Sequence, residues 1–188
     1  MPMKKLSLFV LFAFFGLAVN AQDVKFANLD KSPLDVVYFP LRATQVKAGD
    51  NTMPVMKVTY SRPSKNDREI FGALIPFGKV DRLGANESTE IKFFKPVTIG
   101  KKAIKPGSYS LFAIPNKDSW TLIINSQTDR WGAYTYDQAK DVVRVDVPVK
   151  QLPSVVEAFS MTFVPQSDGA NLVIGWDKTA VELPIQFK

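Results

Sequence analysis

Cysteine and histidine are both absent from the 188 residues of this chain. Without cysteine there is no disulfide framework, no thiolate nucleophile, no zinc ribbon and no iron–sulfur cluster. Without histidine there is no Ser-His-Asp triad, no His-ligated metal and no imidazole proton relay. Long helical periodicity is also missing, and only one long apolar run occurs, Leu6 to Val19, interrupted by Ser7 and Gly16. Its 14 residues fall short of the roughly 20 that span a bilayer. Lys4 and Lys5 precede it, and Val19-Asn20-Ala21 offers modest side chains before a cut. This is the pattern of a secretory signal peptide cleaved near Ala21-Gln22, which predicts a periplasmic or secreted protein. No cysteine follows the run, so a thioether-linked lipid anchor is excluded, and no transmembrane segment is expected after cleavage.

What remains is residues 22–188, enough for one domain whose core holds without covalent help. Loss of Lys4 and Lys5 leaves 22 basic against 18 acidic side chains, a net of +4. Residues 42–105 carry 13 Lys/Arg and 6 Asp/Glu, whereas residues 106–188 carry 7 and 9. A solvated mixed-charge surface accounts for this asymmetry; the sharper reading is a basic face for an anionic partner. The expected compartment and the lack of any recognition motif argue against nucleic acid.

Nearly every ordered stretch has a period of two. Met56, Val58 and Tyr60 alternate with Lys57, Thr59 and Ser61; Thr89, Ile91 and Phe93 alternate with Ser88, Glu90 and Lys92. Val143 to Val149, Phe159 to Phe163 and Val181 to Phe187 repeat the pattern, that of strands with one wet face. Tyr109–Ile114 and Trp120–Ile124 read as strands covered on both sides. Turns are expected at Lys105-Pro106-Gly107-Ser108, Asn116-Lys117-Asp118, Ser167-Asp168-Gly169 and Asp177-Lys178-Thr179, the last closing a final hairpin. Pro184 predicts an edge position for the last strand. Single helical turns are allowed at Leu152–Ala158 and Tyr136–Lys140. The expectation is an all-β domain over residues 53–188: a two-sheet antiparallel β-sandwich, jelly-roll-like, with little helix. Residues 22–52 are expected to be irregular and to run along it.

Two stretches break the pattern. Residues 59–90 are punctuated by Gly72, Gly78 and Gly84 and mix Arg62, Lys65, Arg68 and Arg82 with Asp67, Glu69, Asp81 and Glu87. A loop this long in a compact domain is functional or disordered. Phe71, Leu74, Ile75, Pro76 and Phe77 argue that it packs down. The second stretch, Thr128 to Asp137, carries Trp131, Tyr134 and Tyr136 around Gly132. Such aromatics suit glycan or peptide contacts and equally suit packing with the polar tip in water.

The segments Val58-Thr59-Tyr60-Ser61-Arg62-Pro63, Ile70-Phe71-Gly72, Gly84-Ala85-Asn86-Glu87, Tyr109 to Pro115, Trp120-Thr121-Leu122-Ile123 and Trp131-Gly132-Ala133-Tyr134 occur in this order. Together they resemble the signature of domain-of-unknown-function family 2911, from about Ser32 to the C-terminus. The resemblance implies an exported protein of Gram-negative bacteria and brings no activity, cofactor or catalytic residue. Two departures stand out: Asp81 where members usually have Trp, and Lys101 where a second Gly is usual.

Three functions are compatible with these residues. A binding module would use Arg62, Arg82, Asn86 and Glu87 as fixed polar groups and Trp131 and Tyr134 as an aromatic wall, with arginine gripping an anionic small molecule or glycan. Its structural competitor pairs Arg62 with Glu87 beneath the loop. An envelope assembly protein would pair a sheet edge with a protein partner. A glycoside hydrolase would need two carboxylates roughly 5–10 Å apart, and with no histidine the candidates are Glu87, Asp129 and Glu90. Asn125, Asp129 and Asp137 are too loosely spaced to predict a metal, and no cofactor is expected.

Overall fold

A computed structural model describes residues 23–45 and 47–187. The proposed leader, residues 1–21, lies outside them. Ten strands follow in chain order: β1 (Leu34–Phe39), β2 (Met56–Ser61), β3 (Glu90–Phe93), β4 (Val97–Ile99), β5 (Lys102–Ile104), β6 (Gly107–Pro115), β7 (Ser119–Asn125), β8 (Asp141–Pro148), β9 (Lys150–Gln166) and β10 (Gly169–Gln186). They form two antiparallel sheets, one ordered β1-β2-β3-β6-β7-β8 and the other β5-β4-β10-β9. The protein is an all-β sandwich, as its sequence periodicity predicts.

The period of two decides which side chains meet between the sheets. Met56, Val58 and Tyr60 of β2, Ile91 and Phe93 of β3, and Leu111 and Ala113 of β6 are buried, and so are Phe159, Met161 and Phe163 of β9. Aromatic rings interlock across the middle. Tyr60 meets Phe159 edge-on at 5.9 Å, and Phe159 meets Trp176 at 5.7 Å. Each such pair adds about 1 kcal/mol to the burial itself. The Tyr60 hydroxyl accepts from the Met161 N–H at 2.9 Å, so one polar atom ties the two sheets. Burial of that phenol pushes its pKa up.

β6 and β7 are covered on both faces, as expected. Phe112 and Ile123 lie on the side away from the main core, yet are 2% and 0% exposed. Residues 126–140 fold over them, and the Tyr136 ring meets Phe112 at 5.3 Å. The Tyr136 hydroxyl donates to Asp141 (2.6 Å), and Arg144 donates to both Asp141 (2.7 Å) and the Tyr136 oxygen (2.6 Å). Asn125 holds the other Asp141 oxygen at 2.8 Å. Burial, reinforced by the Asp141 carboxylate, pushes the Tyr136 phenol up to about 12. The allowed helical turn is present as a 3-10 turn, Gln138–Lys140, capped by Asp137.

Four expectations need correction. Residues 22–52 are not wholly irregular: they contain β1, which pairs with β2 from Leu34↔Ser61 to Phe39↔Met56. Leu152–Ala158 is not helical but part of β9, because its pairing with β10 outweighs local preference. Lys105–Ser108 is a bend rather than the expected turn, with Gly107 at φ 150, and it carries the chain from the second sheet to the first. Pro184 is not on an edge strand, since β10 has β4 on one side and β9 on the other. The ladders leave room for it: partners on β9 run to Ala180, and the β4 pairing is at Gln186↔Thr98.

β10 doubles back on itself. Sixteen residues of straight strand would span about 50 Å, yet Gly169 lies against the backbone of Ile185 and Gln186. The Phe187 N–H donates to the Asp168 carbonyl at 2.9 Å, and the Asn171 amide to Glu182 at 3.0 Å. The reversal is at Asp177, whose φ is 53 and where the register with β9 shifts. The turn expected at Asp177-Lys178-Thr179 is therefore there, inside one continuous ribbon.

Candidate functional site

The loop between β2 and β3 packs down in part. Ile70, Ile75 and Leu83 are buried and Phe71 lies 4.9 Å from the Trp120 ring, while Leu74 and Phe77 stay exposed. Residues 78–81 then run beside β6. The Gly78 N–H donates to the Pro115 carbonyl, and Asp81 and Ala113 exchange bonds of 2.7 and 3.0 Å. The next eight residues leave the sheet and return: the Thr89 N–H closes on the Arg82 carbonyl at 3.1 Å. Inside this small loop Gly84 lies against the Ser61 carbonyl, and Asn86 takes a positive φ of 60.

That excursion meets the Thr128–Asp137 stretch. Gly132 N–H donates to the Asn86 carbonyl (2.9 Å), Ser88 N–H to the Arg130 carbonyl (2.8 Å), and Glu87 and Trp131 form an isolated bridge. Two segments more than 40 residues apart are thus clamped as a miniature ladder at the rim of the six-stranded sheet. Beneath it lies an open cavity of about 640 Å³. Asn86, Glu87 and Trp131 line it from above; Lys57 and Thr59 of β2, Glu90 of β3 and Ser110 of β6 line its floor. The register explains the floor, since Thr59 is opposite Glu90 and Glu90 is opposite Ser110.

The structure divides the six residues singled out from the sequence. Asn86, Glu87 and Trp131 share the cavity. Arg62 belongs to the scaffold. Its Nε donates to the Phe159 carbonyl (3.1 Å), Nη1 to Asp35 (2.9 Å) and Nη2 to Ser160 (2.8 Å), tying β1 and β2 to β9. Its ion-pair partner is Asp35 of β1, not Glu87, because the pairing of β1 with β2 sets Asp35 opposite Tyr60 and so beside Arg62. Arg82 lines a different hollow together with Gly84 and Ala85, and Tyr134 is 82% exposed beside Gly132 rather than in the cavity wall. At the Asp81 departure, the carboxyl accepts from the Leu83 N–H at 2.7 Å, while its burial pushes its pKa up.

The cavity's electrostatics differ from an anion grip. Asp30, Glu87, Glu90 and Asp129 face Lys57 and Arg130, so acidic groups outnumber basic ones four to two. The Ser110 hydroxyl is engaged with the Gln127 carbonyl (2.7 Å) and Ser88 Oγ with the Arg130 carbonyl (3.2 Å). Glu87 and Glu90 make no side-chain hydrogen bond or ion pair among the described residues. Trp131 is 59% exposed, whereas Trp120 and Trp176 are each 2% exposed. Sequence reading missed Lys57, Thr59 and Ser110 as site residues. For Lys57 and Thr59 the signal was present in the alternation that put them on the wet face of β2, but which wet positions adjoin was not; Ser110 is buried in a strand that reads as covered on both sides.

No curated protein and no solved structure matches the chain. The family model described as "protein of unknown function (DUF2911)" matches residues 41–185, which takes in both loops and every strand but β1 and the last residue of β10. The chain therefore belongs to the DUF2911 family.

Proposed function

We propose that this protein is an exported, non-catalytic binding module for a neutral, hydroxyl-rich ligand of carbohydrate type, held in the cavity beneath the Glu87–Trp131 bridge. The leader-like residues 1–21 support export. The observation that carries the binding reading is the pairing of a half-exposed indole with Glu87 and Glu90, whose carboxylates have no partner among the described residues, in one cavity lining. An indole face left in water is costly and stacks well on the C–H face of a sugar. Unpaired carboxylates accept two hydroxyl protons each without a counter-charge. The acidic lining disfavours the anionic ligand that the arginines alone suggest.

Trp131 supplies the test. It is the exposed indole beside two buried ones, so stacking on it shifts the red part of the emission toward the blue. Titration with neutral oligosaccharides is expected to give a saturable blue shift in the wild type and none in Trp131→Ala. The substitution should change stability by no more than about 0.5 kcal/mol, as for an ordinary surface site. A panel of glycans that leaves the emission unmoved defeats the reading.

One observation favours a second reading. Glu87, Glu90 and Asp129, the three carboxylates a histidine-free hydrolase would draw on, all line this cavity. Glu87→Gln and Glu90→Gln separate the two. A binding module loses affinity by about tenfold per lost charge-assisted bond and releases no reducing sugar at any time. A hydrolase releases sugar, and either variant slows it by orders of magnitude.

A further inference from the structure

We propose a second site, an oxyanion-binding pocket centred on Arg82, separate from the Trp131 cavity. The hollow measures about 500 Å³ and shares only Ser32 with the lining of that cavity. Lys31, Arg68 and Arg82 line it against one acid, Asp81, a reversal of the charge balance next door.

Arg82 is the unusual member. It makes no ion pair within 4.0 Å and no side-chain hydrogen bond among the described residues, and its Nε is shut off from solvent without a partner. A guanidinium carries five donors in a fixed fork and is normally matched to acceptors. The Asp81 carboxyl accepts from the Leu83 N–H at 2.7 Å and forms no ion pair with Arg82. The Arg82 carbonyl closes the loop with the Thr89 N–H. Gly132, 3.4 Å from Nη1 measured to where a Cβ would stand, offers no side chain. Arg68 adds charge while anchored through its Nε to the Lys65 carbonyl at 2.9 Å. The arrangement is a positive pocket lined by an arginine that has no acceptor among the described residues, a charge balance that suits a carboxylate, a sulfate or a phosphate group.

The test is a melting-temperature series with sulfate, inorganic phosphate and acetate, at ionic strength held constant with sodium chloride so that general screening cancels. At about ten times Kd a bound oxyanion raises the melting temperature by roughly 3–6 °C, saturably. Arg82→Gln is expected to abolish that rise, and Asp81→Asn, which keeps the acceptor for Leu83, to lower the half-saturating concentration by about fivefold. Trp131→Ala should leave the response intact, which separates this site from the cavity. A response to sulfate and phosphate alone assigns a tetrahedral group, and an equal response to acetate a carboxylate. The proposal fails if no oxyanion gives a saturable rise, or if Arg82→Gln responds as the wild type does. Should Arg82→Gln not fold, an unchanged half-saturation in Asp81→Asn overturns it equally.

Discussion

Gly169→Ala is expected to cost about 3 kcal/mol or more, lowering the melting temperature by roughly 6–12 °C. The reason is where the added methyl would go. Gly169 begins β10 and pairs with Gln166 on one side, while on the other the returning half of the same ribbon passes against it. A Cβ there falls on the Ile185 carbonyl oxygen and within 3.0 Å of the Gln186 Cα and Ile185 carbonyl carbon, and these are backbone atoms that cannot rotate aside. Relief requires opening the β10 hairpin, which also breaks the Phe187 N–H bond to Asp168. Gly175→Ala, on the same ribbon but with nothing nearer than 3.8 Å, is the control and should change little. Thermal unfolding of the two variants side by side decides the matter: equal melting temperatures would mean that β10 does not double back.

The second large effect is expected at Gly84. A methyl there would sit 2.6 Å from the Ser61 carbonyl oxygen, on a residue whose φ of 139 L side chains rarely adopt. Backbone strain of about 1–3 kcal/mol adds to the steric clash, so Gly84→Ala should lose roughly 3 kcal/mol. Its consequence is also functional. Gly84 lets the loop bed down on the end of β2, and the same loop carries Asn86 and Glu87 on one side and Arg82 on the other. A displaced loop releases the bonds from Gly132 to Asn86 and from Ser88 to Arg130. The variant should therefore lose both the Trp131 emission shift and the oxyanion response. Near-wild-type stability with both responses retained would show that the loop does not depend on this close approach.

How much was legible in advance differs between fold and site. Met56, Val58 and Tyr60 announce a buried face through spacing alone, because adjacent side chains of any strand point oppositely. Asp168 and Asp177 mark reversals through local chemistry. β1 escaped, because its burial does not alternate cleanly: Leu34 and Val36 are exposed and Asp35 is held by Arg62. Leu152–Ala158 was ambiguous for the same reason, since few of its side chains are buried and its strand form comes from partners on β10. In the candidate site, Asn86, Glu87 and Trp131 were found because two irregular stretches were conspicuous. Lys57 and Thr59 were not, because a wet strand position looks the same whether it faces bulk water or a cavity, and Ser110 was not, because it is buried in a strand covered on both sides.

Composition and alternation by themselves determined that this chain is a histidine- and cysteine-free β-sandwich with two loops that break its pattern. Those features are local: spacing, turn chemistry and residue type act within a few positions of one another. Only the tertiary structure decided that Arg62 braces β1, β2 and β9, that Arg82 faces a separate pocket, and that Glu87 meets Trp131 across the rim. Those outcomes depend on which distant segments lie side by side, and the energy that selects them comes from contacts made only once both sheets have closed on their core.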